Sequence, residues 1–314
     1  MTLNPRSCAF LFPGQGSQTL GMGLNLAKTH KKAAEVFLEA DEILGFYLSK
    51  LCWYGPLSDL NKTVNTQPAL LVHSTALLNI IKEKFPAIRP NFVAGHSMGQ
   101  ISALVAAGSI SFPDALRLAR KRGELMKKAG EQKPGGMAAI MGIDINDLEE
   151  ICRIAGKDHE IVQIANDNCP GQVVISGSRP AIDRAIRMAY DAGARRAVNL
   201  AVSIAAHSPL MASVQSEFNQ AVADTAIVDP SVPVMGNVSA LPLTSAETVR
   251  VELRSQLTKR VRWKESMDYL LDQDIRFFLE IGPGSVLIGL LKRIDREITG
   301  LSLGTWDDFE NINA

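Results

Sequence analysis

The stretch that decides the fold reads Asn91-Phe92-Val93-Ala94-Gly95-His96-Ser97-Met98-Gly99-Gln100. It predicts a short strand over residues 91–95 and a helix rich in small residues over 100–107. A serine between two glycines at such a turn is typical of a nucleophile elbow, which exposes the hydroxyl beside backbone N–H groups that stabilise an oxyanion. The alternative is an ordinary glycine-rich turn whose serine caps the helix. The context favours the nucleophile.

Strands and helices alternate on both sides of this turn. Residues 8–12 form a continuous apolar run, typical of a strand buried on both faces, and Pro13-Gly14 ends it. The same reading predicts helices over 33–44, 69–84 and 113–128, strands over 232–237 and 276–281, and a last helix ending near 294. This alternation predicts an α/β core with a mainly parallel sheet.

The middle of the chain follows a different order. It predicts a strand over 136–143, a helix over 145–155, strands over 160–165 and 172–176 around a turn at 166–171, a helix over 181–192 and a strand over 194–201. This βαββαβ order is the ferredoxin-like pattern. We therefore expect a core made of residues 1–131 and 203–314, with an inserted ferredoxin-like subdomain at 132–202.

A serine nucleophile needs a base, and two histidines follow Ser97 in the chain. His207 lies between a predicted strand and a helix start, a position that suits a catalytic imidazole, although a capping or packing role is the alternative. His159 lies in a charged turn and is expected to be solvated. Asp167 is the best acidic candidate for orienting the base, and a neutral acceptor is the other possibility. His96 is expected to shape the elbow.

Arg122 lies on the apolar stripe of the helix predicted over 113–128. A guanidinium that faces inward needs an anionic partner or strong hydrogen bonds. Two readings stay open, which are a structural ion pair, for example with Glu124, and a fork that binds a substrate carboxylate. The Gln15-Gly16-Ser17 turn lacks the residues of a phosphate loop, so we expect it to bring a backbone N–H to the active site.

Composition excludes several classes of protein. The 314 residues carry 33 Lys plus Arg and 33 Asp plus Glu, so the net charge is 0 and neither nucleic acid nor an anionic membrane is an expected partner. The cysteines, Cys8, Cys52, Cys152 and Cys169, have neither metal-site nor redox spacing. We expect reduced thiols, no bound metal or cofactor, no membrane span, no targeting signal and a cytoplasmic location.

Six ordered motifs resemble the malonyl-CoA:acyl carrier protein transacylase family and the acyltransferase domains of fatty acid and polyketide synthases. The resemblance runs through nearly the whole chain. The motifs are Phe12-Pro13-Gly14-Gln15-Gly16-Ser17-Gln18, Val93-Ala94-Gly95-His96-Ser97-Met98-Gly99, Arg122-Gly123, residues 168–177, His207-Ser208-Pro209-Leu210-Met211 and Glu280-Ile281-Gly282-Pro283-Gly284.

The resemblance implies a role for each matching residue. Ser97 would be the acylated nucleophile and His207 its general base and acid, while Arg122 would hold the malonyl carboxylate. Oxyanion N–H groups would come from Gln15 and Met98. The remaining implied site residues are Gln256, whose backbone carbonyl would orient the histidine, and His96, Asn168 and Ala206 in the substrate pocket. The implied fold is an α/β-hydrolase-like core with a ferredoxin-like insertion.

The chain departs from the family pattern at two positions. Gln100 stands where the family usually has Glu, and Ala206 stands where many malonyl-specific relatives have Phe. Because position 206 is expected to border the acyl pocket, the second departure bears on selectivity between malonyl and methylmalonyl groups.

The function implied is malonyl transfer from malonyl-CoA to phosphopantetheinylated acyl carrier protein by a discrete enzyme, expected to be a monomer. The alternatives are an acyl-thioester hydrolase or esterase that uses the same Ser–His pair, and a non-catalytic module that docks the carrier. For carrier docking we expect a local basic patch at Arg195 and Arg196. A second basic group is formed by Lys259, Arg260, Arg262 and Lys264, and a solvated face is the alternative for both groups.

Overall fold

The computed structural model describes residues 7–157 and 159–310. The outermost residues of the predicted core, 1–6 and 311–314, lie outside the described residues. The described residues form eleven strands: β1 (Cys8–Phe12), β2 (Phe92–Gly95), β3 (Gly136–Met141), β4 (Val162–Cys169), β5 (Gln172–Gly177), β6 (Arg196–Asn199), β7 (Val234–Met235), β8 (Pro242–Leu243), β9 (Val261–Arg262), β10 (Phe277–Ile281) and β11 (Thr299–Leu303).

Fourteen α-helices connect these strands in the described part of the chain. They are α1 (Leu24–Thr29), α2 (Lys31–Leu44), α3 (Leu48–Tyr54), α4 (Leu57–Leu60), α5 (Thr63–Lys84), α6 (Gly99–Ala106), α7 (Phe112–Gln132), α8 (Ile145–Ala155), α9 (Arg179–Asp191), α10 (Gln215–Asp224), α11 (Ala246–Gln256), α12 (Trp263–Asp272), α13 (Val286–Ile294) and α14 (Trp306–Glu310). Among them, no helix is long and apolar enough to cross a lipid bilayer.

The larger sheet has the strand order β11-β10-β1-β2-β7-β8 and is parallel except for the last pair. Strand β1 explains why both faces are covered. Cys8, Phe10 and Phe12 pack into one apolar core while Ala9 and Leu11 pack into the other, so successive side chains enter opposite cores. The prediction of a mixed α/β core with a mainly parallel sheet is confirmed.

A second sheet has the order β6-β3-β5-β4-β9. Its first four strands come from residues 136–199, pair antiparallel, and share a separate apolar core with α8 and α9. Strand β9, from residues 261–262, adds to the edge by pairing in parallel with β4. The region between β3 and β6 is therefore joined to the later part of the chain by a sheet contact as well as by its two connections.

Strand β4 corrects the predicted turn at 166–171. The strand continues to Cys169, with register irregularities between Ile164 and Asn166 and between Asp167 and Cys169. Polar residues at these positions suggest a turn from sequence alone, but the side chains of Asn166, Asp167 and Asn168 are buried in the fold. The bulges bend the strand, and one of these polar side chains, Asn168, bonds His96.

Candidate active site

Ser97 occupies a sharp turn between β2 and α6. Its backbone φ is 53°, a left-handed conformation that a non-glycine residue keeps only where its surroundings enforce it. The glycines allow this close approach, because a Cβ on Gly95 would lie 1.9 Å from the Gly99 carbonyl oxygen. The Ser97 N–H donates to the side-chain oxygen of Asn237 at 2.7 Å. The turn therefore holds the serine hydroxyl in one direction, as a nucleophile elbow requires.

His207 faces this hydroxyl. Its Nε2 lies 2.7 Å from Ser97 Oγ, while its Nδ1 lies 2.8 Å from the carbonyl oxygen of Gln256 and 3.1 Å from that of Lys259. Carbonyl oxygens only accept hydrogen bonds, so Nδ1 carries the proton and the Nε2 lone pair faces the serine. This is the tautomer that a general base needs.

The His207 ring is held in its neutral form. Burial, and after it the nearby positive charge of Arg122, lowers the pKa of His207 to about 3. The two carbonyl acceptors act in the opposite direction because they stabilise the protonated ring. At neutral pH the imidazole can therefore accept the serine proton.

The acidic candidate for orienting the base is wrong. Asp167 is buried on β4, and Nδ1 of His207 is bonded by backbone carbonyl groups instead. His159, the other candidate base, is exposed in the turn before β4. A neutral acceptor therefore takes the place of the usual carboxylate, as the sequence left open.

Arg122 lies on the buried face of α7 and is 1% exposed. Its Nη2 donates to Ser97 Oγ at 3.1 Å, and its Nε has no hydrogen-bond partner. The reading as an ion pair with Glu124 is wrong, because Glu124 bonds Arg120 at 2.7 Å. Burial lowers the pKa of Arg122 to about 10, so the guanidinium is still charged at neutral pH. Within residues 7–157 and 159–310 no carboxylate forms an ion pair with it, so the fork is available to a carboxylate from outside.

Two residues whose backbone N–H groups were predicted to stabilise an oxyanion lie at the cavity. Gln15 and Met98 both line the cavity around Ser97. In the described chain neither N–H has an intramolecular acceptor, whereas the N–H of Ser97 itself is bonded to Asn237. The Gln15 side chain donates to Thr63 Oγ1 at 3.1 Å, which fixes the first βα turn near the elbow.

His96 and Asn168 bond each other behind the elbow. His96 Nε2 lies 2.9 Å from Asn168 Oδ1, and the His96 ring packs against Trp263 with ring centres 5.4 Å apart. Burial lowers the pKa of His96 below its ordinary value. His96 lines the cavity, whereas Asn168 reaches the site only through His96. This geometry suits the expected role of His96 in shaping the elbow.

A cavity of about 120 Å³ joins these groups. The cavity is lined by the reactive residues and Ala206, by Asn166 of β4, and by apolar side chains of β3 and of the segment that follows β6. These apolar residues are Met137, Leu200, Val202 and Ile204. A small cavity lined by a charged fork and by apolar side chains suits a short acyl group that carries a carboxylate.

Sequence reasoning missed two residues that hold the reactive pair. Asn237 follows β7, the strand beside β2, and its Nδ2 donates to the Gly95 carbonyl at 2.8 Å while its oxygen holds Ser97. Gln163 on β4 donates to the carbonyl of His207 at 2.7 Å. For Asn237 a signal existed, because it ends a predicted strand at the same sheet edge as the elbow.

The two predicted basic groups differ in their surroundings. Arg195 and Arg196 are exposed and, in the part of the chain that the structure describes, take part in no ion pair. The second group is largely neutralised, because Arg260 pairs with Glu149, Arg262 with Glu265 and Lys264 with Asp268.

Among the described residues no cluster of His, Cys, Asp or Glu could hold a metal ion.

Comparison with known proteins gives consistent matches along the chain. The family described as "Acyl transferase domain" matches residues 9–303. The malonyl CoA-acyl carrier protein transacylase of Bacillus subtilis (strain 168) is 43% identical over 302 residues, which cover 96% of this chain and 95% of that protein. The protein of the same name from Staphylococcus aureus (strain MRSA252) is 39% identical over 305 residues, covering 97% and 98%.

Solved structures agree with the fold. The malonyl CoA-acyl carrier protein transacylase of Coxiella burnetii superposes with a TM-score of 0.94 at 40% identity, covering 98% of this chain and 96% of that one. A malonyl-transacylase solved in complex with its type II PKS acyl-carrier protein superposes with a TM-score of 0.93 at 39% identity, covering 97% and 98%.

Proposed function

This chain belongs to the malonyl-CoA:acyl carrier protein transacylase family, within the acyl transferase domain family, and on that premise we propose how its residues act. The enzyme transfers a malonyl group from malonyl-CoA to the phosphopantetheine thiol of acyl carrier protein, for fatty acid or polyketide elongation. The observation that carries the substrate assignment is the buried guanidinium of Arg122, which has no carboxylate partner among the described residues and lies 3.1 Å from Ser97 Oγ.

The first half of the reaction loads the serine. Ser97 Oγ attacks the thioester carbonyl while its proton passes to Nε2 of His207. The tetrahedral oxyanion is stabilised by the N–H groups of Gln15 and Met98. The carbon–sulfur bond breaks, CoA leaves with the proton from His207, and a malonyl ester remains on Ser97.

The second half of the reaction transfers the malonyl group from Ser97 to the carrier. The carrier thiol gives its proton to His207 and attacks the ester carbonyl, and Ser97 takes the proton back as it leaves. One thioester is consumed and one is formed, so the two steps nearly balance in free energy without nucleotide hydrolysis. Protonated His207 is stabilised because its Nδ1–H remains bonded to the carbonyl of Gln256.

Intact-mass measurement tests this proposal. Brief exposure to malonyl-CoA should add one malonyl group to the protein, and Ser97→Ala should remain unmodified. Adding phosphopantetheinylated carrier should move that group to the carrier. An adduct on Ser97→Ala would falsify the nucleophile assignment, whereas release of free malonate without transfer to the carrier would favour a hydrolase.

The same proposal includes the domain organisation, the oligomeric state and the location of the protein. We propose an α/β-hydrolase-like core of residues 1–131 and 203–314 with a ferredoxin-like subdomain at 132–202. Its support is the antiparallel order β6-β3-β5-β4 together with the βαββαβ connection. A monomer without a bound cofactor is part of the proposal, and size-exclusion chromatography with light scattering tests the monomer. A cytoplasmic location is also proposed, supported by the cysteines at positions 8, 52, 152 and 169, which are free and buried.

A further inference from the structure

A chain of buried side-chain amides lies behind the reactive pair. Gln256, at the end of α11, donates from Nε2 to the carbonyl of Ser97 at 3.1 Å and to Oε1 of Gln100 at 2.5 Å. Gln100 donates from Nε2 to the carbonyl of Met235 at 3.2 Å and toward Oε1 of Glu252 at 3.4 Å. Gln100 and Gln256 are 0% exposed and Glu252 is 4% exposed.

The acceptors at the far end fix the direction of this chain. Met235 presents a carbonyl and Glu252 a carboxylate, and both accept hydrogen bonds only. The nitrogen of Gln100 must therefore face them, which turns its oxygen toward Gln256. The amide nitrogen of Gln256 then holds the Ser97 carbonyl, while the backbone carbonyl of Gln256 accepts a hydrogen bond from Nδ1–H of His207.

Glu252 also stabilises the turn that follows Asn237, the residue whose side chain bonds the Ser97 N–H. Its carboxylate accepts the N–H of Val238 at 2.6 Å and that of Ser239 at 3.3 Å. These residues directly follow Asn237, whose side chain bonds the Ser97 N–H. One carboxylate therefore anchors both groups that grip the Ser97 backbone, which are the Gln256 amide and the Asn237 amide.

The position of the charge matters. With Glu in place of Gln100, two carboxylates would share a buried site about as far apart as the present 3.4 Å contact. Desolvation and like-charge repulsion would keep one of them protonated at neutral pH. In this chain a neutral amide stands at position 100 beside the single carboxyl group of Glu252.

We propose that Gln100 and Glu252 are positioning residues for the Ser97–His207 pair, a role that rests on the proposed function. The Glu252 carboxylate sets the orientation of the Gln100 amide, and through Gln256 this fixes the distance between Ser97 Oγ and His207 Nε2.

The test compares four variants with a matched control. Gln100→Met removes the hydrogen bonds of the Gln100 amide, and Glu252→Gln replaces the carboxylate with an amide. Gln100→Glu creates the carboxylate pair, and Gln100→Glu combined with Glu252→Gln restores one acid and one amide. The control is Ser102→Ala on the same helix, because Ser102 is buried and its hydroxyl has no hydrogen-bond partner among the described residues. Labelling of Ser97 by a fluorophosphonate probe measures the Ser–His pair independently of substrate, and circular dichroism measures folding.

We expect Gln100→Met and Glu252→Gln to label at least about 10-fold more slowly, since small displacements of reacting groups have effects of this size. Ser102→Ala should label like the parent. Gln100→Glu should lose activity as pH rises from 6 to 9, as its second carboxylate ionises, and the double variant should not. If Gln100→Met does not fold, this pH dependence and its removal in the double variant decide the question.

Parent-like labelling in folded Gln100→Met, or a pH profile of Gln100→Glu that matches the parent, would overturn the proposal. A variant that raises the KM for malonyl-CoA and leaves kcat unchanged would also contradict the proposal, because positioning of Ser97 and His207 acts on kcat. A parent protein that reacts with the probe but forms no malonyl adduct would overturn the proposed function without overturning the positioning role of Gln100 and Glu252.

Discussion

At Arg122 the protein buries a positive charge that has no negative partner in residues 7–157 and 159–310, and this arrangement affects the base as well as the substrate. The charge of Arg122 contributes to the lowered pKa of His207. A malonyl carboxylate bound to the fork would neutralise that charge, so it would make His207 a stronger base at the moment the thioester is in place. An acetyl group would leave the guanidinium unpaired and the base weaker.

Removal of the fork should therefore change selectivity. We expect Arg122→Ala to lower kcat/KM for malonyl-CoA by about 10²-fold or more, the scale of about 3 kcal/mol, and to leave acetyl-CoA level or improved. Arg117→Ala is the control, because Arg117 lies on the same helix, is exposed and pairs with Asp114. Equal losses for both substrates would mean that Arg122 is structural.

His207 should stay active in mild acid. Because burial lowers its pKa to about 3, the ring remains unprotonated well below the ordinary histidine pKa of about 6.5. Acylation by malonyl-CoA should then change less than about twofold between pH 8 and 5.5, whereas an unshifted histidine would lose about 10-fold. Rapid-quench rates over this range measure it, with His159→Ala expected to match the parent. An acid limb with its midpoint near pH 6.5 would contradict the geometry.

The elbow is a property of three elements rather than of one residue. Helix α6 begins so close to β1 that a Cβ on Gly99 would lie 2.0 Å from the Phe12 carbonyl oxygen. The packing of α6 over β1 and β2 thus brings the Gln15 loop beside Met98. Any side chain at position 99 would push the helix away and separate Met98 from the Gln15 loop.

A pair of glycine substitutions tests this packing. Gly99→Ala should lower the free energy of unfolding by about 1–3 kcal/mol or more, because the added methyl group overlaps backbone. Gly289→Ala, in the exposed part of α13 with nothing within 4 Å, should be neutral or stabilise by about 0.5–1 kcal/mol. Urea denaturation gives both values. Similar stability changes for the two variants would show that α6 is not tightly packed.

Elements with a strong periodic pattern could be predicted from the sequence. The apolar run of β1 and the stripe of α7 require burial whatever the partner, so their positions followed from local pattern. The continuation of β4 to Cys169 could not be predicted in this way. Its polar residues favour a turn, and the strand there is made favourable by long-range contacts, which are the pairing with β5 and β9 and the contact of Asn168 with His96.

The same limit applies to the site. Ser97 and His207 stand out by their positions between a predicted strand and a predicted helix, and Arg122 stands out because a charged residue conflicts with an apolar stripe. The carbonyl of Lys259 and the amide of Gln163 carry no such signal, because any residue supplies a carbonyl and a polar residue on a strand is common. Their roles arise from long-range contacts, which residue types alone do not encode.

For the whole molecule, the zero net charge leaves carrier recognition to local surface charge. Arg195 and Arg196 are exposed and unpaired within the described residues, and the loop after β6 leads to the cavity wall at Leu200 and Val202. If the carrier protein is acidic, its electrostatic attraction to Arg195 and Arg196 should act over a distance of about 10 Å at 0.1 M salt.

Reversing these charges should weaken the second half-reaction alone. Arg195→Glu with Arg196→Glu should raise the carrier KM and reduce its salt dependence, with acylation by malonyl-CoA unchanged. Lys31→Glu with Lys32→Glu changes the net charge equally at residues that already face Glu35 and Glu83, so it serves as the control. Carrier kinetics that respond equally to both double variants would remove Arg195 and Arg196 from the docking surface.

The stability of the whole fold should also depend on pH, through histidines buried in neutral form. Burial lowers the pKa of His73 to about 4, and the pKa values of His96 and His207 are lowered as well. In the unfolded chain each ring would bind a proton near pH 6.5. The unfolded state therefore binds more protons between pH 6.5 and each folded pKa, and stability falls as pH falls through that window.

His73 isolates this effect because it lies in the middle of α5, is 0% exposed and takes no part in the proposed reaction. With a folded pKa of about 4, its contribution at pH 5 is a loss of about 2 kcal/mol relative to neutral pH, and the loss approaches about 3 kcal/mol below pH 4. His73→Met removes the titrating group, so its free energy of unfolding should fall less between pH 7.5 and pH 5 than that of the parent, by about 2 kcal/mol. Urea denaturation at the two pH values measures the difference, and the slope with pH is informative even if the variant starts from a different stability. His159→Gln, at an exposed position, should keep the parent slope. If His73→Met and the parent lose the same stability over this range, His73 is not the source of the acid sensitivity.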